Sequence, residues 1–147
     1  MLLFDDNYFM EMAYNQALLA EEAGEVPVGA VIVSQNKIIA KAYNQTETLT
    51  DVTAHAEILA ITSAAQYLGA KYLKDCTLYV TLEPCIMCAG ALYWAQLGKL
   101  VFGAKDPKRG FTQTQPLVTH PKTLIRYGIM EDECEELLKN FFKNLRT

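Results

Sequence analysis

This sequence is short of several things, and each shortage excludes a class of protein. No apolar run approaches the roughly 18–20 residues that a helix needs to cross a bilayer. The first residues, Met1-Leu2-Leu3-Phe4-Asp5-Asp6, put no basic residue ahead of their short apolar stretch, so they do not read as a secretory signal. There is no repeat, no low-complexity tract and no linker, so the 147 residues are expected to form one domain, 1–147. Cysteine is limited to four and histidine to two. Cysteines without a secretory signal point to a reducing compartment, here the cytoplasm, where paired cysteines are metal ligands more often than disulfides. Positive charge is also scarce: the net charge is −4 and the pI about 5.2, which taken whole argues against a nucleic-acid partner. The 51% hydrophobic and 20% charged residues exclude disorder.

What is present divides into regular elements. Residues 5–23 have a helical pattern, with Asp5 or Asp6 as cap and Phe9, Met12, Ala13, Gln16, Ala17 and Ala20 on one face. Val28–Val33 and Lys37–Tyr43 read as a hairpin turning at Gln35-Asn36. A polar, Thr-rich loop over 44–53 leads to a helix over 54–68, with Ile58, Leu59, Ile61 and Ala65 inward. Cys76–Leu82 is a strand, and Pro84 opens a helix to about Ala95, since proline suits a first turn. A strand at Lys99–Gly103, a polar loop over 104–122, a strand over 124–129 and a helix over 131–145 complete the chain. Leu137, Leu138, Phe141 and Phe142 are the apolar face of that last helix. A hairpin followed by alternating helices and strands predicts a three-layer α/β/α sandwich around a mixed sheet of about five strands.

Two segments carry chemistry: Thr53-Ala54-His55-Ala56-Glu57 and Thr81-Leu82-Glu83-Pro84-Cys85-Ile86-Met87-Cys88. Cys85 and Cys88, spaced C-x-x-C at a helix start, present both sulfurs to one point, where the helix N-terminus favours thiolates. That spacing suits zinc, and it equally suits a redox dithiol. A lone His55 would read as a satisfied core histidine. Beside two thiolates it makes a third ligand, and no good fourth follows: His120 lies after the polar loop, and Cys76 and Cys134 read as packing residues. Structural zinc sites close with four protein ligands, whereas three leave a position open for water, the catalytic arrangement. Glu57 could be an ordinary surface acid, but Ala54, Ala56, Ile58, Leu59 and Ala60 around it make a wholly exposed face unsuitable. Beside a zinc site it is placed to take a proton from water and pass it to a substrate nitrogen and a leaving amine. Hydrolytic deamination of a heterocycle follows from that set.

The pattern H-x-E followed by P-C-x-x-C resembles that of the zinc nucleobase deaminases. Further matching segments are Gly24-Glu25-Val26-Pro27-Val28-Gly29-Ala30-Val31, Asn44, Tyr79–Ala91 and Val101-Phe102-Gly103-Ala104-Lys105-Asp106, so the likeness covers residues from about 5 to 110. In this wording the chain resembles bacterial-type tRNA-specific adenosine deaminases, of the cytidine deaminase-like superfamily. The resemblance implies a cytidine deaminase-like fold, one zinc per subunit on His55, Cys85 and Cys88, and Glu57 as proton shuttle. It implies that Asn44 and the backbone N–H of Ala56 read the base and that Val26 and Pro27 wall its pocket. It further implies that the Pro84 carbonyl accepts from the attacked amino group and that Asp106 lies near the nucleotide. The implied reaction is adenosine to inosine at the wobble position of a tRNA anticodon, by a homodimer whose RNA site uses both subunits. Two departures stand out. Phe111–Leu117 replaces a small Gly-Ser-containing stretch, and no long basic tail follows. Ala91-Leu92-Tyr93-Trp94-Ala95 resembles guanine deaminases, which keeps a free-base or nucleoside substrate open; a non-catalytic zinc module is a separate alternative, against which Glu57 and the lack of a fourth ligand speak. Trp94 itself reads as a residue packed in a core or a subunit interface.

Charge distribution reconciles an acidic chain with RNA. Residues 1–25 sum to −6 through Asp5, Asp6, Glu11, Glu21, Glu22 and Glu25. Residues 99–126 sum to +5, through Lys99, Lys105, Lys108, Arg109, Lys122 and Arg126 against Asp106. Lys139, Lys143 and Arg146 follow. If these bases surround the zinc mouth, they can meet the phosphates of a single-stranded anticodon loop.

Overall fold

A computed structural model describes residues 3–114 and 118–145. The elements are α1 (Asp6–Glu22), β1 (Gly29–Ser34), β2 (Lys37–Tyr43), α2 (Ala56–Leu68), β3 (Cys76–Leu82), α3 (Ile86–Ala95), β4 (Lys99–Ala104), a 3-10 turn at Phe111–Gln113, β5 (Leu124–Tyr127) and α4 (Glu131–Leu145). The order and type of the four helices and five strands are those expected from the sequence, while the 3-10 turn falls inside the stretch read as a polar loop. The strands form one sheet in the order β2-β1-β3-β4-β5. β1 runs antiparallel to both neighbours, while β3, β4 and β5 are parallel. The α/β/α sandwich with a mixed sheet of five strands is therefore the fold.

Strand alternation sorts the core into two layers. Ala30, Ile32, Leu78, Val80, Leu100 and Phe102 face α2 and α3. Val31, Val33, Tyr79 and Val101 face α1, meeting Phe9, Met10 and Ala13. Asp5 caps α1 by accepting from Tyr8 N at 2.9 Å. α1 then lies directly on the start of β1. A Cβ on Gly29 would come within 2.1 Å of the Ala13 carbonyl oxygen, so only glycine permits this approach. α4 packs on the same face of the sheet, where Cys134 fills the space over Gly103. Cys76 and Cys134 are both buried packing residues, as expected.

The boundaries depart from the sequence expectation where the chemistry lies. α2 starts at Ala56, so His55 is an extended N-cap residue and not part of a helical turn. α3 starts at Ile86, with Cys85 as N-cap, so Pro84 precedes the helix instead of opening it. The buried stripe of α2 is Ala56, Glu57, Ala60 and Ala64, while Ile58, Leu59, Ile61 and Ala65 are half-buried. Small side chains let that helix sit close to the sheet. β5 stops at Tyr127 because Gly128 and Met130 take positive φ. Trp94 is 77% exposed, so within this chain it is not a core residue. The loop after β4 is not wholly polar, since Phe111 is fully buried. Gln115, Pro116, Leu117 and Arg146 lie outside the described residues.

Candidate active site

The N-terminal ends of α2 and α3 converge at the carboxyl ends of the parallel strands β3 and β4. Here open α/β sheets place their ligand crevices. His55 and Cys85 are the two N-cap residues, and Cys88 follows within the first turn of α3. His55 Nδ1 lies 3.4 Å from Cys88 Sγ and 3.7 Å from Cys85 Sγ. All three ligand atoms fall within 4.8 Å of one another. A tetrahedral zinc with ordinary bond lengths separates a nitrogen from a sulfur ligand by about 3.6 Å. The spacing and the one-nitrogen, two-sulfur donor set thus fit a metal site consistent with zinc. Among the described residues this is the one such cluster of three or more.

The electrostatics of the metal-free cluster follow from its crowding. A hydrogen bond from the Cys88 thiol holds Cys85 down to about 4 against its burial, and His55 adds a second bond. Cys88 is pushed upward by the same bond and by burial. His55 is raised, chiefly by its bond to Cys85. A dication bound here takes both sulfurs as thiolates and the imidazole as neutral, so binding releases protons. Glu57 is 4% exposed. Burial pushes its carboxyl up to about 7, against a backbone hydrogen bond and the charge of His55.

A cavity of about 680 Å³ opens over these groups. Val26, Asn44, His55, Ala56, Glu57, Cys85 and Asp106 all line it, so most of the residues singled out in the sequence come together there. Three do not: Cys88 is fully buried behind Cys85, and Pro27 and Pro84 are buried beside the cavity, where Val28 takes the wall position next to Val26. The Pro84 carbonyl already accepts the Phe111 N–H at 2.9 Å, so it ties down a loop. The Ala56 amide belongs to the first turn of α2, whose amides have no acceptor inside the helix. Asp106 lines the mouth, but its Oδ1 accepts the amides of Lys108 at 3.1 Å and Arg109 at 3.0 Å. It shapes the turn that it sits in.

Two buried acids went unassigned in the sequence because nothing in their spacing marks them. Glu25 is 1% exposed and accepts from Glu47 N at 3.1 Å, Thr48 N at 2.6 Å and Thr48 Oγ1 at 2.7 Å. Its burial alone would raise its pKa, yet these bonds win and lower it. Glu83 binds the opposite loop in a similar way. Lys139 and Lys143 of α4 stand at the cavity, as the charge reading allowed, but the sequence reads Leu138 and Phe142, which form its outer wall with them, only as an apolar packing face.

The charge expectation needs correction. Lys99 and Arg126 share the carboxylate of Asp6 in α1, Lys99 at 3.2 Å, and neither lines the cavity. Lys122 lines a second pocket with Lys74, His120 and Leu124, at the opposite ends of the strands. The bases that line the main cavity are Lys105, Arg109, Lys139 and Lys143, and Lys139 is paired with Glu135 at 2.7 Å. No helix among the described residues is long and apolar enough to cross a membrane.

A family model of MafB19-like deaminases matches residues 4–146. The tRNA-specific adenosine deaminase of Aquifex aeolicus (strain VF5) is 47% identical over 146 residues, covering 95% of each chain. A solved structure from a study of A-to-I editing by tRNA:A34 deaminases at the wobble position of transfer RNA is 44% identical, with a TM-score of 0.84, covering 89% of this chain and 99% of the other. The guanine deaminase of Bacillus subtilis is 42% identical with a TM-score of 0.67, covering 69% of this chain and 66% of its own. With a near-complete match in sequence and fold, and a donor cluster of the right shape beneath a buried acid, this chain belongs to the tRNA-specific adenosine deaminases, within the MafB19-like deaminase family.

Proposed function

We propose that the whole chain, 1–147, is one zinc-dependent deaminase domain that converts adenosine to inosine at the wobble position of a tRNA anticodon. The observation that carries this reading is the three-ligand cluster beside the buried carboxyl of Glu57, at the floor of a cavity with a basic outer wall. His55, Cys85 and Cys88 hold one zinc per subunit. When bound, zinc supplies the Lewis acidity that makes water a nucleophile near neutral pH. The balance is water plus adenosine giving inosine plus ammonia. Glu57 takes one proton from the attacking water and delivers it to a ring nitrogen, then takes the second from the new hydroxyl on C6 and gives it to the departing amine as the C6–N bond breaks.

The other residues orient the base. Val26 and Val28 wall its flat face, with Pro27 behind them. Asn44 offers both a donor and an acceptor, and the Ala56 amide offers a donor. Pro84 and Asp106 act through the loop that they hold. Lys105, Arg109 and Lys143 face the phosphates. A single-stranded anticodon loop is a suitable target, because its base enters the pocket without the cost of opening a duplex. The reading places the enzyme in the cytoplasm, with tRNA. It also makes it a homodimer: Ile86 at 57% and Trp94 at 77% exposure leave one side of α3 bare, as a subunit interface requires. Sedimentation of a dimer that dissociates in Trp94→Glu supports this, and a monomeric wild type overturns it.

Purified protein incubated with a tRNA carrying adenosine at the wobble position should yield inosine by mass spectrometry and stoichiometric ammonia. Turnover of free bases or nucleosides alone overturns the reading. The second reading is a guanine deaminase, favoured by the likeness to the Bacillus subtilis enzyme and by Tyr93-Trp94 in α3. Free guanine assayed beside tRNA decides between them.

A further inference from the structure

We propose that Glu83 is the positioning residue for the RNA-facing loop of the cavity, a role that rests on the tRNA reading above. Glu83 is 2% exposed and stands two residues before Cys85. Both of its carboxylate oxygens are engaged by the loop that follows β4. Oε1 accepts the Asp106 amide at 2.9 Å. Oε2 accepts the Thr112 amide at 2.9 Å and the Thr112 hydroxyl at 2.6 Å. One carboxylate thus clasps the loop at both ends. Between the clasps, Asp106 holds the amides of Lys108 and Arg109. Lys105, Asp106, Pro107 and Arg109, which line the mouth, are presented as a set turn.

Gly110 shows how closely the loop wraps the carboxylate. A Cβ there would lie 2.2 Å from Glu83 Cδ and 2.2 Å from Oε2. Gly110 also makes a β-bridge to Cys85, and the Phe111 amide bonds to the Pro84 carbonyl. The loop is therefore latched to the chain segment that carries the metal ligands, through Glu83 and the backbone. Glu57 moves the proton, whereas Glu83 fixes where Lys105 and Arg109 stand relative to the base. Because charge-assisted bonds are the stronger kind, a neutral side chain at this position releases the loop and lowers the fraction of molecules ready for RNA.

Glu83→Gln tests this, because glutamine keeps one acceptor and turns an NH2 toward a backbone N–H. The zinc-loaded variant is assayed on tRNA with adenosine at the wobble position, and tRNA affinity is read separately by fluorescence anisotropy. A loop held in place about one-tenth of the time raises both KM and Kd about tenfold. The kcat should change by less than threefold, with one zinc per chain retained. Thr112→Val removes one donor and should shift KM and Kd in the same direction by a smaller factor; it decides the matter if Glu83→Gln does not fold. Zinc loss, a fall in kcat at constant KM, or no change in any parameter overturns the proposal. Wild-type protein run alongside separates the two failures: a wild type that neither binds nor edits tRNA overturns the tRNA reading itself.

Discussion

Replacing Glu57 by glutamine should remove activity and add stability, and both effects can be sized from its surroundings. The carboxyl is buried, and its pKa is raised from 4.5 to about 7. At about 1.4 kcal/mol for each tenfold, keeping it ionised in the folded metal-free protein costs about 3 kcal/mol. The pH dependence has a definite sign. Below about 4.5 the group is protonated in both the folded and unfolded chains, so there is no cost. Between 4.5 and about 7 the unfolded chain gives up its proton first, and stability falls. Above about 7 the full cost is present. Glu57→Gln lacks a titrating group here and escapes this cost. Urea denaturation of metal-stripped, reduced protein, followed by far-UV circular dichroism, should show the variant about 3 kcal/mol more stable than wild type at pH 8, and under about 1 kcal/mol more stable at pH 5. The zinc-loaded variant should keep its metal, because the three ligands are untouched, and lose about 10²–10⁴ in kcat on tRNA. A stability difference equal at the two pH values would refute the burial argument. Turnover within tenfold of wild type would refute the assignment of the proton shuttle.

The other predictions concern the ligands, the second buried acid and the basic rim. Cys88→Ser should copurify with less than one zinc per chain by elemental analysis, since it removes a buried sulfur ligand; full zinc content would exclude Cys88 from the set. Glu25→Gln should destabilise the protein by about 2 kcal/mol at pH 7, because three bonds to the loop after β2 converge on its carboxylate. Its folded pKa is lowered, so its contribution is present above the ordinary carboxylate range and fades as pH falls through the folded value. The gap between variant and wild type should therefore close in acid, as read by urea titrations across pH. Arg109→Ala and Lys143→Ala should each weaken tRNA binding and reduce the slope of log affinity against log salt by about one. An unchanged slope would place that side chain off the RNA.

The element order was legible because helical and strand periodicities differ. The ligand set was legible because His55, Cys85 and Cys88 are chemically specific and sit beside sequence features of helix starts. Their exact places at the two N-caps were not, since a boundary moves by a residue or two without changing the hydrophobic pattern. Trp94 reads as packed in a core or a subunit interface, and only its 77% exposure removes the core of this chain from the choice. Phe111 looked like part of a polar loop because a single apolar residue has no period to betray it.

Glu25 and Glu83 show the wider division. In the sequence each is one carboxylate among many, and only folding brings backbone amides from residues 22 to 29 positions away onto them. The charge sums fail for the same reason: Lys99 and Arg126 count as free bases along the chain, but the sheet carries them to Asp6, 93 and 120 residues distant. Linear order alone was enough for the fold class and for singling out His55, Cys85, Cys88 and Glu57, because those rest on local periodicity and on scarce residue types. The tertiary structure decided which acids hold loops, which bases reach the mouth and which aromatics stay bare, because burial and pairing depend on distances that the linear order does not contain.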